Sequence, residues 1–112
     1  MYEAPTEEDV RRVVDLAVEA VDPLRVVLFG SLARGDEDPG DIDLIVVMPD
    51  GANRLHVGQA LRRLIVTNPD LNVAVDIVVT TPARLERSQR SVVSMYPEIL
   101  REGRELYVAT VS

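Results

Sequence analysis

Phe29-Gly30-Ser31-Leu32-Ala33-Arg34-Gly35, followed by Asp41-Ile42-Asp43-Leu44, is the stretch that decides how this chain folds. The apolar run from Val26 to Phe29 reads as a buried strand that leaves through a Gly-Ser turn. Asp41 to Met48 reads as a second strand, entered through two carboxylates. Asp41 and Asp43 are two apart, and a strand directs residues i and i+2 to one face. Two anions facing one way beside a buried strand repel each other and are costly to desolvate unless a cation lies between them. A divalent metal is the simplest reason to keep such a pair.

The rest of the chain bounds what this pair can belong to. Its 112 residues suffice for one domain with one core, and leave no room for a separate substrate-binding lobe. No apolar run approaches the length of a membrane span. Nothing before the first helix reads as a secretory leader, so the expectation is a cytoplasmic protein with no membrane partner. Cysteine is absent, which excludes disulfides and thiolate metal sites. A net charge of −7 argues against broad nucleic-acid binding, where cationic side chains must replace counterions. Every basic residue apart from His56 is arginine, so a side-chain contact to phosphate falls to arginine, which suits bidentate recognition.

Working outward, Thr6-Glu7-Glu8-Asp9 fits a helix start with Thr6 as N-cap and Asp9 standing in for the usual glutamate. Val10, Val13, Val14, Ala17, Val18 and Val21 follow helical spacing, and Pro23 ends the helix. The first strand runs from Leu24 to Phe29, and Gly30 to Gly40 reads as a loop. Pro49-Asp50-Gly51 is a turn signal, and a second amphipathic helix spans roughly Asn53 to Thr67 before Asn68-Pro69-Asp70 breaks it. Asn72 to Thr80 is a third strand, and Thr81-Pro82 opens another helical stretch that runs on, interrupted near Pro97, to Gly103. Glu105 to Ala109 adds a short edge strand. The order predicts an α/β (α+β) domain over residues 1–112, a small mixed sheet covered by helices.

Asp76 is the one charge inside the apolar run Val73 to Val79, and a central-strand carboxylate needs a partner. If the third strand lies beside the second, Asp76 completes an oxygen-rich set with Asp41 and Asp43. Hard oxygen ligands suit magnesium or manganese, which keep waters and substrate phosphates as their other ligands. Gly-Ser alone is an ordinary turn, and Asp-x-Asp alone is ordinary turn chemistry; only the set is specific.

That set resembles the DNA polymerase beta-like nucleotidyltransferase superfamily. The fuller Gly30-Ser31-Leu32-Ala33-Arg34-Gly35, the Asp41-Ile42-Asp43-Leu44 and the closing Ile99 to Tyr107 are most similar to its minimal nucleotidyltransferase (MNT) branch. The resemblance implies a polymerase beta-like fold in which Asp41, Asp43 and Asp76 hold two ions of magnesium or manganese. It further implies that Asp76 helps activate the attacking hydroxyl, and that Gly30 and Ser31 bind the phosphates of a nucleoside triphosphate. Arg34 is split between a phosphate contact and a surface pair with the acidic loop Asp36-Glu37-Asp38. The implied reaction moves AMP from ATP to a hydroxyl, and the implied partner is a helical HEPN-type protein of a toxin–antitoxin pair, or a second copy. Two alternatives stand beside it: an antitoxin acting by binding alone, and transfer to a small molecule such as an antibiotic. His56, near a helix start, reads as solvent-exposed. Tyr2 and Tyr96 remain open as acceptors of self-modification.

Overall fold

The computed structural model describes residues 4–36, 40–89 and 101–110. Helix α1 spans Glu7–Val21 and begins as its sequence requires. The Thr6 hydroxyl accepts from the Asp9 backbone N–H at 3.2 Å, and the Asp9 carboxylate accepts from the Thr6 N–H at 2.9 Å. Val10, Val13, Val14 and Ala17 are its buried stripe. Asp22 then turns left-handed at φ 50°, Pro23 follows, and strand β1 takes Arg25–Phe29.

The stretch after β1 is not the plain loop that its composition suggested. Gly30–Arg34 winds into a single helical turn, α2, closed by Gly35 at φ 75°. Five residues are too short to display a helical period, so nothing in the apolar pattern marks it. Strand β2 then covers Ile42–Val47, and helix α3 covers Arg54–Val66, with the Asn53 side chain accepting from the His56 N–H at 3.1 Å. Strand β3 is Val75–Thr80, shorter than the apolar run that announced it. Helix α4 is Pro82–Gln89, and its free N–H groups are met from two sides: Ala83 donates to Asp50 and Arg84 to Thr81. The expected continuation past Gln89, its break near Pro97, and Ile99, Leu100, Tyr2 and Tyr96 lie outside the described residues. Strand β4 is Arg104–Val108.

The four strands form one mixed sheet in the order β3-β2-β1-β4. β2 and β3 run parallel, joined through α3, while β1 pairs antiparallel with both β2 and β4. One face of the sheet, with Val26, Leu28, Ile42, Leu44, Val46 and Ile77, packs beneath α1 and α3. The alternate residues Val27, Ile45 and Val47 pack with Leu85 of α4 on the other face. β2 is therefore buried on both sides beyond its first two residues, which explains its unbroken apolar sequence. β3, in contrast, is an edge of this sheet and Asp76 is exposed, so the expectation of a central strand for Asp76 is corrected.

Removing the Leu44 side chain should test this centre directly. Leu44 is fully buried in the middle of β2, so Leu44→Ala is expected to cost about 2–5 kcal/mol in urea unfolding. Val108→Ala, on the exposed edge strand, should change stability by less than about 0.5 kcal/mol. Equal effects would mean that β2 is not the core strand.

Candidate active site

Strand pairing puts the predicted carboxylates at one end of the sheet. In the β1–β2 ladder Phe29 stands opposite Asp43, and in the β2–β3 ladder Asp43 stands opposite Asp76. Phe29, Asp43 and Asp76 thus form one row across three strands. Alternation assigns Asp43 to the face of Ile45 and Val47, and Asp76 to the face of Val78, the one not covered by α1 and α3. The row lies at the lip of that face, where the apolar side chains stop.

Gly30 completes the row from below. It has φ 77°, and a Cβ built there would run into Oδ2 of Asp43 and lie 3.2 Å from its Cγ. The Asp43 carboxylate rests against the bare Cα of Gly30, so any side chain at position 30 would both strain the backbone and push the carboxylate aside. This contact is not legible in the sequence, where Gly30 reads as a turn former and, by the resemblance, as a phosphate-binding position.

Asp41 sits one residue before β2 and is exposed, so it is not the strand residue that the i, i+2 argument assumed. It is nevertheless close enough to act on Asp43. Burial is the largest effect raising the Asp43 carboxyl above its ordinary value, and the charges of Asp41 and then Asp76 raise it further; Arg34 pulls it back in part. All three aspartates are therefore within electrostatic reach of one another through Asp43.

Arg34 bonds to the Asp36 carboxylate at 3.1 Å, and both side chains are about half exposed. Glu37 and Asp38 of that acidic loop lie outside the described residues. Ser31 is half-buried, its carbonyl accepts from the Asp36 N–H at 3.1 Å, and its hydroxyl has no partner among the described residues. His56 is exposed on α3, across the sheet from the carboxylates, and takes no part.

Among the described residues no group of three His, Cys, Asp or Glu side chains is arranged to enclose a metal ion. Magnesium does not require such a cage, since one or two carboxylates suffice when waters and substrate phosphates supply the remainder. An all-carboxylate donor set, with its central member destabilised by like charge, fits that mode of binding. The site is an open lip: the 290 Å³ groove between α3 and β3 contains none of the three aspartates.

The raised Asp43 pKa has a definite sign in stability. Its contribution is fully present below pH 3.8, where the side chain is neutral in both states, and is lost as pH rises through the higher folded value. At neutral pH without metal the ionised Asp43 is thus a net cost. Asp43→Asn should raise the melting temperature in chelator at pH 7 by roughly 1–5 °C, and the gain should vanish as pH approaches 3.8. A gain that stays constant across that range would mean that neither burial nor the neighbouring carboxylates penalise the ionised Asp43.

Comparison with known proteins agrees with this geometry. The profile of the nucleotidyltransferase domain family matches residues 10–108. No functionally curated protein matches the sequence. A Sulfolobus solfataricus protein assigned as a nucleotidyltransferase has a similar crystal structure, with TM-score 0.58 at 21% identity over 90% of this chain and 78% of that one. A second protein so assigned gives TM-score 0.54 at 19% identity, over 88% of this chain and 97% of the other. At those identities the structures speak for the fold, while the profile spans nearly the whole chain. Four strands in this order, a Gly-Ser turn after β1 and aspartates at the adjoining strand ends therefore go with a family assignment: the chain belongs to the nucleotidyltransferase domain family.

Proposed function

We propose that this protein is a metal-dependent adenylyltransferase that moves AMP from ATP to a hydroxyl on a protein partner, with release of pyrophosphate. The observation that carries the reading is the in-register pair Asp43 and Asp76, with the charge of Asp41 acting on Asp43 and with Asp43 seated on a glycine that has no room for a side chain. A fold has no structural use for that concentration of charge, and a nucleotide triphosphate with its cations does.

Asp41, Asp43 and Asp76 would hold two ions of magnesium or manganese, which when bound neutralise the triphosphate and stabilise charge on the attacking and leaving oxygens. The remaining work falls to the chain. Gly30 lets the backbone approach the phosphates, and the Ser31 hydroxyl, without a partner among the described residues, donates to a terminal phosphate oxygen. Arg34 exchanges Asp36 for phosphate; their exposed pair is worth at most about 1 kcal/mol, so the exchange costs little. Asp76, exposed on the sheet edge, accepts the proton of the acceptor hydroxyl. The hydroxyl oxygen then bonds to the α-phosphorus, the bond from that phosphorus to its bridging oxygen breaks, and pyrophosphate leaves with the electron pair.

Similarity of the Gly30–Gly35 and Asp41–Leu44 motifs to the MNT branch supports an antitoxin role, with a helical HEPN-type protein as acceptor. One observation favours a second reading, a module that neutralises its partner by binding alone: Asp41 and Asp76 are exposed, and no metal-enclosing group exists among the described residues.

Labelled ATP with magnesium and the co-purified partner decides between them. Asp43→Asn should lower AMP transfer at least about a hundredfold with the circular dichroism spectrum unchanged. Ser31→Ala should raise KM for ATP by roughly tenfold, the loss of one hydrogen bond to a charged group, with kcat less affected. A partner neutralised equally by wild type, Asp41→Asn and Asp43→Asn, with no label transferred, would replace catalysis by binding.

A further inference from the structure

The sheet face opposite the aspartates carries a second organised surface. Between the C-terminal half of α1 and α3 runs a groove of about 490 Å³, lined by Ala20, His56, Gln59, Ala60, Arg63 and Leu64. Its two banks are oppositely charged. On the α1 side Glu19 and Asp22 are exposed, and neither has an ion pair among the described residues; Asp15 lines a separate groove beside Leu106. On the α3 side Arg54 and Arg63 are exposed and equally unpaired, and no acidic residue occurs from Arg54 to Val66. α3 also displays Leu55, Leu64 and Val66, three of the four large hydrophobics exposed among the described residues.

These charges sit against the helix dipoles. The last turn of α1 has no basic residue and ends on Glu19 and Asp22, where cations are favoured; the first turn of α3 has no acidic residue and begins with Arg54, where anions are favoured. Each helix end is improved by the kind of charge that the other helix presents. The two helices run antiparallel, since Arg12 of α1 donates to the Asp70 carbonyl beyond the end of α3, while Ala20 lines the groove together with His56.

We propose that a second copy of this chain docks on this face as a two-fold dimer whose axis lies along the α1–α3 groove. That axis alone lays the α1 of each copy over the α3 of the other, so that Glu19 and Asp22 meet the Arg54 end. An axis across the groove would set acid on acid and base on base. The same patch on both copies makes a closed, isologous contact, with Leu64 of the groove covered by it.

The test reverses one bank at a time in the full chain. Glu19→Arg with Asp22→Asn makes both banks basic; Arg54→Glu with Arg63→Glu makes both acidic. Sedimentation velocity at about 100 μM should find wild type dimeric, and each reversal should weaken self-association at least about tenfold. The first reversal brings net charge nearer zero, so its loss of dimer cannot come from overall repulsion. An equimolar mixture of the two variants should restore a one-to-one dimer, identified by native mass spectrometry. Monomeric wild type, reversals that still self-associate, or folded variants that fail to pair on mixing would each overturn the proposal.

Discussion

Strand parity is the constraint on which this structure depends. In β2 the residues at 42, 44 and 46 enter the core under α1 and α3, while 43, 45 and 47 face the other way. A slip of one residue against β1 or β3 would carry Asp43 into the layer of Leu28 and Leu44 and expose the core row. The free energy of burying a fully apolar strand on both sides therefore fixes where a carboxylate must stand. Asp43 and Asp76 stay side by side, against their mutual repulsion, because Ile45–Val78 and Val47–Thr80 continue the same ladder. Hydrophobic register holds an electrostatically unfavourable arrangement in place.

The same reasoning shows which parts were legible in the sequence. Thr6 and Asp9 announced the start of α1, Pro23 its end and Asn53 the start of α3, because capping chemistry is local and leaves a local signature. The apolar runs announced β1, β2 and β3, since alternation and burial are properties of neighbouring residues. Topology is not such a property. The run around Asp76 is apolar enough for a central strand, yet β3 has no strand beyond it among the described residues and Asp76, near its start, is exposed. The turn α2 was hidden because one helical turn has no periodicity to display. Asp41 was placed inside the strand, and lies one residue outside it, for want of any local signal that separates Asp41 from Ile42.

For the candidate site, residue types and spacing named Gly30, Ser31, Arg34, Asp41, Asp43 and Asp76, but not how they meet. The contact between Gly30 and Asp43 is a product of the β1–β2 register: Phe29 opposes Asp43, so the next residue in β1's path passes beneath the carboxylate. Such a contact joins residues thirteen apart through a pairing that no local pattern encodes. A tie between Arg34 and the acidic loop is one of two readings open at the level of sequence, and Arg34 bonds to Asp36 in the structure.

The two faces of the sheet also constrain what the acceptor can be. The aspartates open onto the face shared with α4, whereas the charged groove belongs to the outer surface of α1 and α3. In the dimer proposed above, the two groups of aspartates point away from each other with two sheets and four helices between them. A second copy docked there cannot present its own hydroxyl to this site. Self-association through the groove and transfer to a protein acceptor are then compatible functions of one small domain, because β2, buried on both sides, separates them. In the proposed reaction the acceptor would approach the β3 edge, where Asp76 is exposed and where the sheet still offers unpaired backbone among the described residues.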